Sequence, residues 1–527
     1  MSESNYEQAK KDIAVLLSRS WPVSREEFER IKRSISSEHS LTKVPSNPEI
    51  LALLDPKLRE QARSLLLLKS TRSASGVVVV AVMTSPYPCP HGRCLYCPGG
   101  PESNTPQSYT GYEPAARRAI DNRFDPRAQV TQRLRQLEEM GHSTDKVELI
   151  VMGGTFLSTP SMYQEHFMSE CLNALTRHEP SSLDVAKSRC RLAKRRNVAI
   201  TVETRPDYCK ETHVDAMIEM GVTRVEIGLQ SVYPEVLAAI KRGHTVEDSI
   251  DAIRFAKDAG LKVCVHIMPG LPGSTSANDI EVFRVLFEDD RFRPDMLKIY
   301  PTLVISGTGL EELYRKGLYT PLTNETASEI VADALIIAPR WVRVMRVQRD
   351  IPAPQILAGP KHGNLRELAM ALLSRRGLST SEIRSREIGL SGRSDMVESI
   401  EMKRTHYSAS SGEEMFLEFV GSRTDHVLAY LRLRFPSSRT HRPELARGDS
   451  AIVRELKVLG RATPLGKVWN ESRQHRGYGV SLMAEAERIA KEEWNLRRLL
   501  VISALGTKEY YYRLGYSDDG PYVSKVL

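Results

Sequence analysis

Three cysteines lie close together in the run Tyr87–Gly100, and their type and spacing suit a metal centre. Cys89, Cys94 and Cys97 leave four residues between the first pair and two between the second. Structural zinc usually takes four protein ligands, whereas a cubane iron–sulfur cluster held by three cysteines keeps one iron open for chemistry. The spacing alone leaves both readings open, since His91 or a distant residue could complete a zinc knuckle.

The cysteine run follows the first of six β-branched or aliphatic runs, most of which are separated by helix-length amphipathic stretches. Strands and helices that alternate in this way predict an α/β barrel of parallel strands. Ligands of such barrels bind at the loops after the carboxyl ends of the strands, which is where the cysteines lie. The six predicted strands are Gly76–Met83, Val147–Met152, Val198–Glu203, Thr223–Leu229, Leu261–Met268 and Met296–Tyr300.

Other predicted strand ends carry groups that could bind an amino acid attached to a nucleoside. Such a ligand needs a mixture of bare glycine backbone, an anion, a cation and an amide. The anion and the cation could equally form a structural ion pair. The candidates are Gly153 and Gly154 after the second strand, Glu203 and Arg205 after the third, and Gln230 after the fourth.

The composition excludes several classes of protein. The chain has 527 residues, of which 41% are hydrophobic and 27% charged, as in a soluble globular protein of several domains. No apolar run reaches the roughly 18 residues of a membrane span, and the polar start is no signal peptide. We therefore expect a cytoplasmic protein whose clustered thiols bind metal rather than form disulfides.

Positive charge is concentrated in two runs, 56–72 and 340–349. The net charge of +8 and the pI of about 9.0 favour a polyanionic partner. A series of cations along a groove could contact RNA phosphates, although each run alone could be an ordinary solvated face. The candidate RNA-binding residues are Lys57, Arg59, Arg63, Lys69, Arg72, Arg343, Arg346 and Arg349.

The two ends of the chain differ from the barrel. Ser24 is the predicted N-cap of a helix in a small N-terminal helical region. Near the C-terminus, Glu413–Val420, Leu428–Phe435 and Ile452–Leu459 predict antiparallel strands. The predicted domains are 1–55 helical, 56–337 barrel, 338–400 basic linker and 401–527 a second, α+β domain.

A glycine-rich turn precedes the predicted helix from Val480 to about Glu493. Backbone amides exposed by glycine at a helix N-terminus can bind a pyrophosphate, although any glycine-rich turn before a helix has this pattern. The candidate residues of this turn are Gln474, Arg476, Gly477, Tyr478 and Gly479.

These motifs resemble the radical S-adenosylmethionine (SAM) superfamily and, within it, the family of the Elongator catalytic subunit. The likeness rests on the cysteine block and on the runs Gln107–Pro114, Asp145–Phe156, Glu203–Asp207, Gly228–Ser231 and His362–Leu368. The glycine-rich turn resembles the acyl-CoA motif of GNAT acetyltransferases. The resemblance implies a partial, TIM-like radical SAM barrel followed by a GNAT-like α+β domain, which bind a [4Fe-4S] cluster, SAM and acetyl-CoA.

The resemblance also implies roles for individual residues. Acetyl-CoA contacts are expected at Glu455, Leu456, Lys457, Val458, Tyr478, Gly479 and Val480, with Tyr512 near the thioester and Lys146 near the acyl group. Relatives carry cysteines thought to hold zinc between the domains. The matching stretch Leu378–Arg384 has none, so we expect no zinc there.

The implied reaction converts the tRNA wobble uridine, in the anticodon stem-loop, to 5-carboxymethyluridine. A SAM-derived radical would abstract hydrogen from the acetyl methyl group, and the carbon radical would add to C5 of uridine. Two alternatives stay open at this point. One is a protein lysine acetyltransferase with a structural cluster, and the other is a non-catalytic RNA-binding protein that senses acetyl-CoA.

Overall fold

The computed structural model describes residues 3–41, 44–66, 76–388, 399–460 and 477–527. They form a group of N-terminal helices and two seven-stranded sheets. None of the helices in these ranges combines the length and apolar character that a membrane span needs.

The N-terminal helices pack around their own hydrophobic cluster. They are α1 (Glu3–Ser20), α2 (Arg25–Glu38), α3 (Asn47–Leu53) and α4 (Pro56–Leu66). Ser24 caps α2 as predicted, because its Oγ accepts a hydrogen bond from the backbone N–H of Glu27 at 3.1 Å. Leu58 and Ala62 of α4 belong to this cluster, so the helical region extends past the predicted boundary at residue 55.

The first sheet is a half-barrel of seven strands, all parallel, in the order β1-β2-β3-β4-β5-β6-β8. Parallel strands place their carboxyl ends on one edge, which positions the loops that follow them. The strands are β1 (Val78–Met83), β2 (Lys146–Met152), β3 (Arg196–Thr204), β4 (Arg224–Gln230), β5 (Lys262–Ile267), β6 (Met296–Ile299) and β8 (Arg343–Val347).

The outer face of this sheet is apolar and is covered by helices. Val147, Leu149 and Val151 of β2, for example, are buried in one cluster with helical residues. The helices of this domain are α5 (Pro114–Asp121), α6 (Pro126–Glu139), α7 (Ser161–Thr176), α8 (Leu183–Leu192), α9 (Glu211–Glu219), α10 (Pro234–Ala239), α11 (Val246–Asp258), α12 (Ser276–Glu288), α13 (Gly309–Arg315), α14 (Asn324–Ile337), α15 (Leu365–Arg375) and α16 (Ile383–Arg386).

The seventh strand, β8, lies inside the segment 338–400 that the sequence assigns to a basic linker. It reads Arg-Val-Met-Arg-Val, and its pairing with β6 skips Met345; Val344 is buried in the barrel core, whereas Arg343 is partly buried. The repeated arginines hide the period-two pattern of a strand in the sequence. A small separate sheet pairs β7 (Val304–Ile305) with β9 (Ile356–Ala358).

The second sheet has the order β10-β11-β12-β13-β14-β16-β15. All its neighbours are antiparallel except β13 and β14, which run parallel. Its elements are β10 (Ile400–Ala409), β11 (Gly412–Gly421), β12 (Val427–Phe435), β13 (Ser450–Val458), α17 (Tyr478–Arg488), β14 (Arg498–Val501), α18 (Lys508–Tyr512), β15 (Ser517–Asp519) and β16 (Tyr522–Val526).

Candidate functional site

The cysteine loop follows β1 at the carboxyl edge of the half-barrel, as predicted. Cys94 and Cys97 are each 4% exposed, and the backbone N–H of Ser108 donates to Sγ of Cys97 at 3.1 Å. Sγ of Cys89 lies 3.6 Å from Oγ1 of Thr155, in the loop after β2. Loops from two neighbouring strands therefore enclose the thiols.

The chemistry of these donors fits a soft metal centre. Burial and, to a smaller extent, the neighbouring Cys94 raise the pKa of the Cys97 thiol to about 11. Burial also raises the pKa of Cys89, although a hydrogen bond to Thr155 opposes this. Thiolates bind iron and zinc whereas thiols do not, so binding of a metal centre would release the protons of these thiols.

His91, the candidate fourth zinc ligand, lies beside the thiols. Its Nε2 is 3.1 Å from Sγ of Cys94 and also accepts a hydrogen bond from Nη1 of Arg205 at 2.9 Å. Burial, together with the charges of Arg205 and Arg242, lowers the pKa of His91 to about 4, so its ring is neutral at pH 7.

The two glycines after β2 accommodate the protein's own chain. Gly153 has φ of +142°, and a Cβ there would strike Oγ1 of Thr84; a Cβ at Gly154 would lie 3.0 Å from the carbonyl oxygen of Gln107. Gln107 in turn accepts a hydrogen bond from the backbone N–H of Cys89 at 2.5 Å. These glycines thus allow the β2 loop to pack directly against the cysteine loop.

The remaining strand-end candidates divide into one internal residue and two that face the site. Arg205 is 1% exposed and donates twice to Asp207, at 2.9 and 3.0 Å, so it holds its own loop together. Glu203 accepts a hydrogen bond from the hydroxyl of Tyr109 at 2.6 Å. Oε1 of Gln230 is buried and has no partner among the described residues. That orphaned acceptor fits a SAM molecule, whose amino group needs one.

The inner face of the half-barrel is charged, which the sequence reasoning missed. Arg224 forms ion pairs with Glu148 and, at 3.6 Å, with Glu226; Glu226 also pairs with Lys298. Barrel interiors are usually filled by aliphatic side chains. The alternation of charged and apolar residues along β4 is the sequence signal that could have revealed this face.

This charged face connects the cysteine edge to the second domain. His266 lies 3.1 Å from Glu226, and ligand atoms of Glu203, Glu226 and His266 all lie within 4.8 Å of one another. At the amino edge, Lys146 begins β2 on the same face as Glu148, and burial lowers the pKa of Lys146. The expected role of Lys146 near an acyl group stays a prediction.

The second domain docks on the amino edge of the half-barrel through β13. Arg454 donates to the carbonyl oxygen of Leu261, directly before β5, at 3.0 Å. Next along β13, Oε2 of Glu455 accepts a hydrogen bond from Nε of Arg432 at 2.9 Å. Burial tends to raise the pKa of Glu455, but the charges of Arg432 and then Lys262 lower it overall. Burial lowers the pKa of Lys457. Glu455 and Lys457 therefore face the barrel.

The two parallel strands of the second sheet separate after four residue pairs. β13 pairs with β14 from Ser450 to Val453, but it continues to Val458 alongside β12 alone. In the described part of the chain, the backbone of Arg454–Val458 thus has one edge without a strand neighbour. Leu456 and Val458 pack on the domain core, so this edge could receive an extended, amide-bearing ligand.

The helix α17 begins beside this open edge. Gly477 is its N-cap with φ of +81°, and the ring of Tyr478 packs against Phe419 with centroids 5.1 Å apart. A Cβ at Gly479 would lie 2.7 Å from the hydroxyl of Tyr510 and 3.8 Å from Val458. Val480 is exposed. The helix start, the end of β13 and Tyr510 therefore converge.

Tyr512, the residue expected near the thioester, lies on α18, and its role there stays a prediction. Its hydroxyl donates to Asp518 at 2.8 Å, and its ring packs under the guanidinium of Arg191, 4.6 Å from the ring centroid. Tyr510, two residues earlier, is the tyrosine at the helix start, and burial raises its pKa. Successive residues of the short helix α18 point about 100° apart around its axis, so a run of three tyrosines does not show which of them faces the helix start.

The candidate RNA-binding residues occupy different environments. Arg346 is 44% exposed and pairs with Asp350, whereas Arg343 is 14% exposed and pairs with Glu387 at 2.7 Å. Arg349 lies over the ring of Tyr109. Lys57 and Arg59 are exposed on α4.

Some candidates cannot be described. Lys69, Arg72, Gln474 and Arg476 lie outside the described residues, as does the side chain of Arg63.

Comparison with known proteins is consistent with this geometry. The model of the radical SAM superfamily matches residues 84–286, and that of the radical SAM C-terminal domain matches residues 294–374. A protein of Methanocaldococcus jannaschii named tRNA uridine(34) acetyltransferase is 46% identical over 491 residues, which cover 92% of this chain and 90% of that protein. The human Elongator complex protein 3 is 43% identical over 511 residues, covering 95% and 93%.

The chain belongs to the Elongator protein 3 family. The solved structure of Methanocaldococcus infernus Elp3 with an N-terminal deletion (1–46) has a TM-score of 0.76 and 43% identity, and covers 86% of this chain and all of that one. The radical SAM half-barrel of parallel strands, predicted from the sequence, is thus confirmed for this Elongator protein 3 relative. Its superfamily implies a [4Fe-4S] cluster and SAM, which fit the three thiols and the orphaned Gln230 oxygen.

Proposed function

We propose that the chain is a transferase that attaches the two-carbon unit of acetyl-CoA to C5 of the wobble uridine of tRNA, giving 5-carboxymethyluridine. Its relatives support the tRNA substrate, since the Methanocaldococcus jannaschii protein is named for uridine 34 of tRNA. The chemistry supports the use of a radical, because C5 of uridine is electron-rich and a carbanion formed from the acetyl group by base catalysis would not add to it.

One structural observation carries the proposal. The three-thiol loop and the open edge of β13 lie at opposite ends of the same half-barrel, joined by its charged inner face. An enzyme that only acetylated an amine would need the second feature without the first. A chain that holds both in one fixed unit is suited to a reaction in which a radical acts on an acyl-CoA.

Cys89, Cys94 and Cys97 are assigned to the cluster, and Gln230 and Glu203 to SAM. When bound, the cluster and SAM supply a carbon radical that can remove hydrogen from an unactivated methyl group. The backbone of Glu455–Val458 would hold the pantetheine arm of acetyl-CoA, and the α17 amides from Tyr478 to Val480 would hold its pyrophosphate. Tyr510 would lie at the thioester and could protonate the departing CoA sulfur when the thioester is hydrolysed.

RNA would approach the carboxyl edge, where Arg346 and Arg349 lie near the cysteine loop. Arg349 donates a hydrogen bond to the carbonyl oxygen of Ser108, the residue that also contacts Cys97. Phosphate contacts from such residues position a nucleic acid without reading its sequence. Lys57 and Arg59, which are exposed on α4, are further candidates for contact with RNA phosphates.

The test is mass spectrometry of tRNA nucleosides after anaerobic incubation with dithionite, SAM and acetyl-CoA. The proposal expects 5-carboxymethyluridine, which should be absent with a Cys94→Ala protein that still binds tRNA. Acetylated protein without SAM consumption would favour a lysine acetyltransferase. No tRNA-dependent release of CoA would favour an RNA-binding protein that only senses acetyl-CoA.

A further inference from the structure

A buried arginine without a carboxylate partner lies against the cysteine loop. Arg242 is 6% exposed, and its Nη1 lies 3.6 Å from Sγ of Cys94. Its Nη2 donates to the carbonyl oxygen of Gly228, on β4, at 2.7 Å. Among the described residues no carboxylate lies within ion-pair distance of Arg242. By contrast, the buried Arg434 and Arg454 each pair with acids.

Neighbouring residues fix this guanidinium in place. Nη1 of Arg205 donates to the backbone carbonyl of Arg242 at 2.8 Å, and Arg205 is itself held by Asp207. A Cβ at Gly228 would lie 2.8 Å from Nη2 of Arg242, so the glycine leaves room for the close approach. The chain thus specifies the position of Arg242 from both sides.

An unpaired buried cation is costly, so it needs a negative partner when the site is complete. The negative groups within reach are the cysteine sulfurs. Three thiolates and a [4Fe-4S] core carry net negative charge, which grows by one when the cluster is reduced. A fixed positive charge and an N–H donor beside one sulfur therefore favour the reduced form.

We propose that Arg242 is a positioning residue that raises the reduction potential of the cluster by holding a positive charge against the thiolate of Cys94. Arg242 acts through Cys94 and contacts no substrate. This inference rests on the cluster of the proposed function. It adds that the protein, and not only the cluster type, sets how readily the cluster accepts the electron that SAM cleavage requires.

The test is an anaerobic redox titration of the reconstituted protein, followed by EPR of the reduced cluster, with iron and sulfide measured in each sample. Arg242→Gln should reduce the equilibrium constant for cluster reduction at least tenfold, which is about 59 mV for a one-electron couple. Arg118→Gln is the matched control. Arg118 is 9% exposed and also donates to a strand carbonyl, that of Ala81, at 2.7 Å, but it contacts no cysteine sulfur.

Each outcome decides the inference. An Arg242→Gln protein with full iron content and the wild-type potential would overturn it, as would an equal shift in Arg118→Gln. If Arg242→Gln takes up no iron, Arg242→Lys replaces it. The retained charge should keep the equilibrium constant for cluster reduction within a factor of ten of the wild-type value, and a larger fall would overturn the inference. A wild-type protein that assembles no cluster would instead overturn the proposed function.

Discussion

Arg454 of β13 and Asp295, the residue before β6, form a bidentate ion pair that joins the two domains. Nη1 and Nη2 of Arg454 lie 2.7 and 2.6 Å from the Asp295 carboxylate oxygens, and both side chains are completely buried. Lys257 and Arg432 also lie within 3.7 Å of Asp295. This ion pair therefore fixes β13, the strand expected to bind acetyl-CoA, to the amino edge of the half-barrel.

Removing the Asp295 charge should weaken this junction. Asp295→Asn removes one of the two acidic partners of Arg454, Lys257 and Arg432, which then retain only Glu414 or Glu455. Breaking a buried pair typically costs about 3–5 kcal/mol in free energy of unfolding. Urea unfolding measures this cost. The control is Glu281→Gln, which removes an exposed pair with Arg284 and should cost under about 1 kcal/mol. Equal costs for the two variants would contradict a junction held by buried charge.

A second interdomain pair predicts a pH dependence of stability. Burial tends to raise the pKa of Asp425, but hydrogen bonds from Arg340 and Lys403 outweigh it and lower this pKa to about 2, from 3.8. A lowered carboxyl pKa contributes stability that is present above pH 3.8 and is lost as the pH falls through about 2. In an Asp425→Asn protein, the free energy of unfolding should therefore decrease less than in wild type as the pH falls from 3.8 to about 2. If the free energy of unfolding depends on acidic pH in the same way in the variant and in wild type, Asp425 is not paired in solution.

Two neighbouring tyrosines provide a matched test of the acyl site. Tyr510→Phe removes the hydroxyl beside Gly479, so it should slow tRNA-dependent acetyl-CoA hydrolysis at least tenfold. Tyr512→Phe removes only a hydrogen bond to the exposed Asp518 and should leave the rate within about twofold. CoA release measures both. The reverse pattern would return the thioester role to Tyr512, as the family resemblance implies.

The salt dependence of tRNA affinity tests the basic surface. Loss of one phosphate contact should reduce the slope of log affinity against log salt by roughly 0.7 to 0.9 units. We expect this for Arg346→Ala, because Arg346 is exposed, and not for Arg343→Ala, because Arg343 is held by Glu387. Acetyl-CoA affinity is the control and should not change. Equal slopes in wild type and Arg346→Ala would place the RNA path elsewhere.

Much of the barrel could be predicted because its strands have a strong local signal. The run from Val78 to Met83 contains four valines in six residues, and the cysteine loop follows it. The sequence does not reveal β8, because its arginines predict an RNA-binding face rather than part of a strand. The partners of Arg340 and Arg343 are on distant segments, so no local pattern shows that they are paired.

The candidate site could be predicted only in part, because several of its residues meet only when distant segments of the chain fold together. Spacing along one loop identifies Cys89, Cys94 and Cys97, but Arg242 reaches Cys94 from 148 residues away. The choice between Tyr510 and Tyr512 depends on how α18 packs, which three consecutive tyrosines do not specify. The charged inner face depends on strands that meet only in the folded sheet.

The most direct test of the account follows the acetyl methyl group itself. The protein is incubated anaerobically with tRNA, SAM, dithionite and acetyl-CoA whose methyl group carries three deuterium atoms. The modified uridine and 5′-deoxyadenosine are then analysed by mass spectrometry. The account predicts that 5-carboxymethyluridine retains two deuterium atoms and that the third appears in 5′-deoxyadenosine. A modified uridine that keeps all three, or 5′-deoxyadenosine without deuterium, would contradict hydrogen abstraction from the acetyl group.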